Sequence, residues 1–575
     1  MLDEIYGKPF QAAIAGAGLR GVMPCYCSLN GEPVSSSKKL LTGLLRDEMG
    51  FDGVVVADYG SVGNVYHAQH ACESLTEAGE MCMEAGMDVE LPSREAYNEE
   101  LKERFADGRA DMEVLDRAVL RGLRAKFRMG LFEHPYALEG RELRSTFSRK
   151  EDEEITLQSA LESMVLLKNN GVLPIDNQIK KIAVVGTHAA NARIFFGGYT
   201  HMSMEEAVHA VANSIAGIES GSVKGKKMLR VPGTQIQSDE TEEFDSILRQ
   251  QKPQCKNLLE VLREKLPEAE IVYSYGYAVA GDDCSHIDEA LENAKDADVV
   301  ILTLGGKHGS CSVASMGEGV DGTDINLPVC QDTFIKRASE LGKPLVGVHF
   351  NGRPISSDIA DEYLDAIVEA WNPSEAGAEA IAQVLLGEYN PGGKLPVCVA
   401  RNAGQIPVYY NHQNGSAWHQ GESIGFADYV DMPHTPRYFF GHGLSYTTFV
   451  YSGLRICAKE PAGGGNVSAA EDMGAGKNAP ARADAAGGAE VTPLGAVCIE
   501  LDVKNTGERA GDEVVQLYLR DPYASISRPV KELAGFARVH LAWDGMDFHT
   551  IRIRGTSIAG ACLEKSRSYA SRIPF

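Results

Sequence analysis

Basic residues are in deficit. The 55 Lys and Arg stand against 80 Asp and Glu, leaving a net charge of −25 on 575 residues and a pI near 5.1. Such a surface repels phosphate backbones, so no nucleic-acid partner is expected. No apolar run reaches the ~18 residues a membrane span needs, so no membrane partner is expected either. The twelve cysteines are scattered singly apart from Cys25 and Cys27, with no CxxC and no zinc-ligand spacing. Cys25, Cys82 and Cys398 lie in apolar segments and are expected to be buried thiols. Unpaired cysteines favour a reducing, cytoplasmic compartment, and the first residues lack the charged-then-apolar layout of a signal peptide. Walker A and GxSxG motifs are missing too, which leaves phosphoryl transfer and serine hydrolysis without a nucleating motif.

What is present is an ordinary globular composition, 44% hydrophobic and 23% charged, in a chain long enough for about three domains. Residues 1–140 alternate helices with short apolar runs: a helix over 3–18, a strand at Gly21–Tyr26, and a turn at Asn30–Gly31. A capped helix then closes at Gly50, followed by a strand at Val54–Asp58, a helix near Leu75–Ala85 and a strand at Met87–Leu91. This reads as parallel strands joined by helical crossovers. Three such strands make a poor domain alone, so this part is expected to be the C-terminal portion of a (β/α)8 barrel. A charged linker over 141–159 separates it from a second α/β block at 160–415. There the spacing predicts a helix at Ala160–Leu167 and strands at Lys181–Val185, Glu270–Tyr273, Val299–Leu304, Pro344–Val348, Asp365–Ala370 and Gly393–Val399. From 438 to 575 short strands and turns predict a small β-sandwich. It is interrupted near 458–494 by a Gly/Ala-rich stretch expected to be disordered.

Two carboxylates stand out. Asp58 ends the apolar run Val54–Val56, the position where α/β folds place their chemistry; its plainer reading is the N-cap of a helix starting near Val65. Glu318 lies between Gly317 and Gly319 in the loop after the Val299–Leu304 strand, where glycines let backbone approach a ligand closely. Its plainer reading is a solvated loop charge. Asp321 and Asp324 read as turn and cap residues, and Lys307–His308 as polar loop in preference to the alternative of substrate binding. Gly16-Ala-Gly18-Leu-Arg-Gly21 matches GxGxxG, but the dinucleotide fingerprint needs a strand before it and a helix after, the reverse of the order here.

The strings GVMPCY, LLTGLLRDEMGFDGVVVADYG, SALESMVLLKNNGVLPI, GEGVDGTDINLPVCQ, FNGRPISS, EAWNPSEAGAEAIAQVLLGEYNPGGKLPV, YFFGHGLSYTTF and KNTGERAGDEVVQLYLRDPY follow one another in the order found in glycoside hydrolase family 3. The chain resembles that family over nearly its whole length. The resemblance implies a barrel, an α/β sandwich with a mostly parallel sheet, and a fibronectin-III-like β-sandwich. It implies Asp58 as nucleophile, Glu318 as acid/base, and Tyr26 beside the nucleophile; AGMDVELP matches the family's barrel-end string. Tyr59, Ala57 and Gly322 stand where the family usually carries Trp, Ser and Arg, at the rim of the site. Tyr59, with Tyr26, is assigned to substrate binding. The resemblance also implies that the earlier barrel strands, roughly 150 residues at about 30 per β/α unit, and the Asp, Arg and Lys-His holding the reacting sugar are not in this chain. The 556–575 tail does not close the sandwich in the family's manner.

Glycosidic cleavage passes through an oxocarbenium-like transition state. One carboxylate must be ionised to attack the anomeric carbon, and the other protonated to donate to the leaving oxygen. The expected activity is therefore a retaining exo-β-glycosidase releasing β-D-glucose. A β-xylosidase, a non-catalytic carbohydrate-binding protein and a dinucleotide binder are the alternatives. The expected partners are an oligosaccharide or aryl β-glycoside and, in a homo-oligomer, further copies of the chain. No cofactor and no metal are implied.

Overall fold

The computed structural model describes residues 2–147, 149–211, 228–415, 428–459, 496–521, 523–524, 526–543, 549–556 and 561–565. The chain divides into two compact units, Met1–Phe147 and Ser148–Phe575.

In the first unit the helix Lys8–Ala17 ends at Gly18 in the left-handed region (φ 61), and strand β1 (Gly21–Val22) follows. In the GAGLRG segment Gly18 is therefore a helix C-cap and Gly21 opens a strand, as a dinucleotide loop cannot be built. The expected strand to Tyr26 stops at Val22, ahead of Pro24, which has no N–H to pair. Strands β2 (Ser28–Leu29) and β3 (Glu32–Pro33) form a hairpin closed by Asn30 (φ 53) and Gly31 (φ 87), the residue pair a primed turn favours. A helix over Lys39–Glu48 buries Leu41 and Leu45. Then β4 (Val54–Val55), buried on both faces, pairs parallel with β1, and Val56 bridges to Val89 in parallel. Gly53 permits this approach: a Cβ there would sit 2.2 Å from the Arg20 carbonyl oxygen. The helix Leu75–Ala85, capped by the Ser74 hydroxyl, packs Ala78, Cys82 and Ala85 onto a core with Val55, Val62, Val65 and Met87. Cys25 is exposed and Cys398 half-buried, correcting the expected burial of both; Cys82 is fully buried.

The second unit is built on six strands: β5 (Val165–Asn169), β6 (Lys181–Val185), β7 (Glu270–Ser274), β8 (Val299–Gly305), β9 (Leu345–Phe350) and β10 (Ala366–Trp371). Their order is β5-β10-β9-β8-β6-β7, parallel throughout except for the β5–β10 edge. Every residue of β8 and β9 is buried, because helices cover both faces, which is why these strands read as unbroken apolar runs. Two expectations fail here. The helix placed at Ala160–Leu167 is instead the end of a helix over Lys150–Ser163 followed by β5, since Val165–Leu167 are wanted on the sheet's antiparallel edge. The Lys150–Ser163 helix also takes up much of the expected 141–159 linker. The strand placed at Gly393–Val399 joins no sheet. Pro391 and Pro396 withhold N–H donors, and only Val399 makes a bridge, to Tyr438.

The sandwich consists of β11 (Phe449–Lys459), β12 (Ala496–Asn505), β13 (Gly511–Leu519), β14 (Glu532–Leu541), β15 (His549–Thr556) and β16 (Ala561–Lys565). One sheet runs β11-β12-β15-β16 and the other is the β13–β14 pair. Ile499, Val503, Val515, Ala537, Val539 and Leu541 fill the space between. Of the stretch expected to be disordered, Ala458 and Lys459 continue β11 in register with Val497 and Ala496; the remainder lies outside the described residues. Of the 556–575 tail, Ala561–Lys565 pairs antiparallel with β15, and residues 557–560 and 566–575 lie outside the described residues.

Candidate active site

Asp58 sits two residues beyond Val56, at the carboxyl end of β4, and is half-buried. The helix after it starts at Ser61, earlier than the expected Val65, and its N-cap is Gly60 (φ 72) with no side-chain cap. The capping role read as the plainer alternative for Asp58 is therefore not the one adopted. Its Oδ1 instead accepts the Tyr59 N–H at 2.7 Å. Tyr26 turns back to the same place: its hydroxyl donates to the Tyr59 carbonyl at 2.8 Å, and its own carbonyl accepts from Gln69 Nε2 at 3.0 Å. Asp58, Tyr59 and Tyr26 are thus brought together at one strand edge, with both aromatic rings exposed.

The strand beneath is held by a residue of the AGMDVELP segment. The fully buried Asp88 carboxylate accepts the Val55 N–H and Arg46 Nη2, each at 2.9 Å, through Oδ2, and Arg121 at 3.0 Å through Oδ1. A carboxylate with two guanidiniums and a backbone donor is fully satisfied, which fixes β4 in register and so fixes Asp58.

In the second unit Glu318 occupies the tip of a tight turn. Gly317 (φ 132) and Val320 bridge across it, and Gly319 also has positive φ (66). At Gly317 a Cβ would lie 1.8 Å from the Gly309 carbonyl oxygen, so only glycine allows the two limbs of this loop to meet. Asp324 makes the expected turn, accepting the Asn326 N–H at 3.0 Å. Glu318 is exposed, and the hydroxyl of Tyr199 donates to its Oε2. Tyr199 was not singled out from the sequence; its signal is the Gly197-Gly198-aromatic run directly before the helix His201–His209.

The Lys307–His308 pair is not solvated loop. Lys307 is 2% exposed, with Nζ 2.6 Å from Asp239 and 2.8 Å from Glu206. Arg193, 1% exposed, reaches the same two carboxylates at 2.8 and 2.7 Å. Burial would raise Asp239, but Lys307 and Arg193 hold it down at about 2. Two cations and two anions therefore meet here, with Asp245 as a further carboxylate 3.3 Å from Arg193. His308 Nδ1 accepts the Gly198 N–H at 3.0 Å, and burial lowers its pKa below the usual imidazole range.

The connections of β6 and β8 leave the sheet in opposite directions, the position where open α/β sheets usually bind ligands. Here it is filled by protein. Buried His188 lies 3.0 Å from the Gly306 carbonyl, Tyr277 donates to the Val185 carbonyl, and Gln331 bonds both the N–H and the carbonyl of Gly305. Beside it, a cavity of about 390 Å³ reaches Met316, Asn326 and Arg353. The Arg353 guanidinium lies where a side chain at Gly322 would begin, 2.8 Å from a Cβ there. Among the described residues no group of three or more His, Cys, Asp or Glu could hold a metal ion, and no helix is long and apolar enough to cross a membrane.

Two α/β units, each with a carboxylate beyond the carboxyl end of a parallel strand, and an appended β-sandwich define a multidomain α/β protein with acidic residues at its sheet edges. Residues 1–125 match the glycosyl hydrolase family 3 N terminal domain, 164–446 the family 3 C-terminal domain, and 513–553 a fibronectin type III-like domain. The chain belongs to glycosyl hydrolase family 3. It is 34% identical over 550 residues to a periplasmic beta-glucosidase of Salmonella typhimurium, with 93% of this chain and 62% of that protein covered. It is 31% identical over 550 residues to a beta-xylosidase of Formosa agariphila, covering 94% and 64%. The chain thus spans somewhat less than two thirds of the length of either relative. A solved beta-glucosidase of Listeria innocua in complex with isofagomine superposes with a TM-score of 0.71 at 28% identity, over 97% of this chain and 69% of that one.

Proposed function

We propose that this chain acts in a retaining β-glycosidase that removes terminal β-D-glucosyl residues from an oligosaccharide or aryl β-glucoside. Asp58 is the nucleophile, and Glu318 is the general acid that becomes the base for hydrolysis of the glycosyl-enzyme. Tyr26 and Tyr59 contact the sugar. The observation that carries this reading is Asp58 at the carboxyl end of β4, its carboxylate not used to cap the following helix while Asp88 pins the strand. The reading of the first unit as part of a (β/α)8 barrel belongs to the same proposal, supported by the parallel contacts β1–β4 and Val56–Val89. A cytoplasmic location belongs to it too, supported by the free thiols at Cys25, Cys27 and Cys72.

The test is Asp58→Ala assayed on an aryl β-glucoside. Hydrolysis is expected to fall at least about a thousandfold, and azide to restore turnover by making an α-glucosyl azide, because a small anion can replace a carboxylate whose role is covalent. Loss without azide rescue would assign Asp58 another role.

The similarity to the Formosa agariphila beta-xylosidase favours a second substrate, β-D-xylosides. Glucose differs by a hydroxymethyl group, a difference a pocket converts into about 10- to 200-fold discrimination. Comparing kcat/KM on paired nitrophenyl glucoside and xyloside decides between them.

A further inference from the structure

We infer that Tyr199 is a positioning residue for the Glu318 carboxyl, an inference that rests on the assignment of Glu318 as acid/base. Three separate ties join the segment 197–209 to the segment 307–318. The Gly198 N–H donates to His308 Nδ1, Glu206 pairs with Lys307, and the Tyr199 hydroxyl donates to Glu318 Oε2. The first two are half-buried or buried and set the distance between the segments; the third reaches the reacting group itself.

Tyr199 is held for this task by its backbone. It is an aromatic residue at φ 65, a region that bulky side chains seldom enter. The turn that imposes this is closed on both sides. Gly197's carbonyl accepts from the Thr200 hydroxyl at 2.7 Å and from the Thr200 N–H at 3.3 Å, and Thr200 caps the helix His201–His209. Gly197 and Gly198 lie flat against His308 and Asn372, with a Cβ on Gly197 falling 3.1 Å from His308 Nδ1. The ring itself is 64% exposed, so core packing does not account for its direction.

Glu318 needs such a partner. It stands at the tip of a turn between two positive-φ glycines, where its side chain has rotamer freedom to lose. In the first step its proton passes to the glycosidic oxygen while the C1–O bond breaks and the Asp58 carboxylate bonds C1, so the alcohol leaves neutral. That transfer requires the acid to be within hydrogen-bond reach of one oxygen lone pair. A phenol bonded to Oε2 fixes the rotation of the carboxyl group while remaining outside the bond changes.

The experiment compares Tyr199→Phe and Glu318→Gln with the unsubstituted chain on two substrates. A dinitrophenyl β-glucoside has a leaving group that departs without protonation; a β-linked glucobiose has one that does not. Tyr199→Phe is expected to lower kcat/KM on glucobiose by about ten- to a hundredfold, through kcat with KM nearly unchanged. On the dinitrophenyl substrate kcat/KM is expected to change less than about threefold, with the melting temperature preserved. Equal losses on both substrates, or none on either, would overturn the role of Tyr199. If Glu318→Gln then still loses selectively on glucobiose, its own assignment stands. A Glu318→Gln variant without that selectivity, or an unsubstituted chain that turns over neither substrate, would overturn both.

Discussion

Lys307 and His308 are neighbours in sequence with different surroundings. Lys307 is enclosed with Arg193, Glu206 and Asp239, whereas His308 faces the Gly197–Gly198 turn. Lys307→Met would leave two buried carboxylates facing one guanidinium. It is expected to destabilise the second unit by about 3–5 kcal/mol, read as a lowered urea midpoint. From sequence alone Lys307 looked like surface loop, because its three partners lie 68 to 114 positions away and no local pattern joins them. Asp58 stood out as a candidate because an apolar run ending at an acid is a local pattern, as did the glycine-flanked Glu318. Tyr199 did not, since its hydrogen bond is to a residue 119 positions distant.

A second residue-scale consequence concerns pH. Glu369, fully buried on β10, has its pKa raised from 4.5 to about 8 by desolvation, against the hydrogen bonds from Asn351 and the Trp371 N–H. The folded state holds this proton where the unfolded state has released it, so stability is fully present below pH 4.5 and falls as pH rises toward 8. Buried His188 and His349, lowered from 6.5 to about 4, act oppositely, their contribution being lost as pH falls below 6.5. Above pH 6.5 the Glu369 effect stands apart from theirs. Over pH 6.5 to 8 the melting temperature is expected to fall more steeply in the unsubstituted chain than in Glu369→Gln; parallel slopes would contradict this.

Among the elements, β6 to β10 were readable to within a residue or two because buried parallel strands are apolar along their length. β5 was misread because its apolar residues continue directly from a helix, and only the pairing with β10 stops that helix at Ser163. The Gly393–Val399 segment failed in the opposite direction: its composition suits a strand, but Pro396 within it interrupts the pairing and only Leu395 and Val399 make backbone bonds to a neighbouring segment. The Glu318 turn supplies the element-scale prediction. Gly317→Ala must displace the loop, since the added Cβ meets the Gly309 carbonyl. With Glu318 as the proposed acid/base, a displacement of about 1 Å costs on the order of a hundredfold. Glucobiose hydrolysis should fall by about that factor while the circular dichroism of the chain is retained; full activity would show that the turn geometry is not needed.

At the scale of the second unit, the β-sandwich is tied to the α/β block by polar contacts rather than by a linker. Arg538 reaches the Glu162 carbonyl at 2.8 Å, Asn390 Nδ2 donates to the Ala510 carbonyl at 3.0 Å, and Gln516 donates to the Gly441 carbonyl at 3.1 Å. Removing residues 438–575 is therefore expected to lower the melting temperature of the remainder, by several degrees or more; an unchanged transition would show the sandwich to be independent. Its place in the chain was legible from the change to short strands, whereas these contacts were not.

The reading as a whole depends on Asp58 forming a bond to the sugar. A β-glucoside carrying fluorine on the carbon next to the anomeric centre, with a good leaving group, slows breakdown of that bond enough to trap it. Incubation followed by peptide mass mapping is predicted to find one fluoroglucosyl group per chain, attached at Asp58. A label on another residue, or turnover with inversion and no label, would contradict the account.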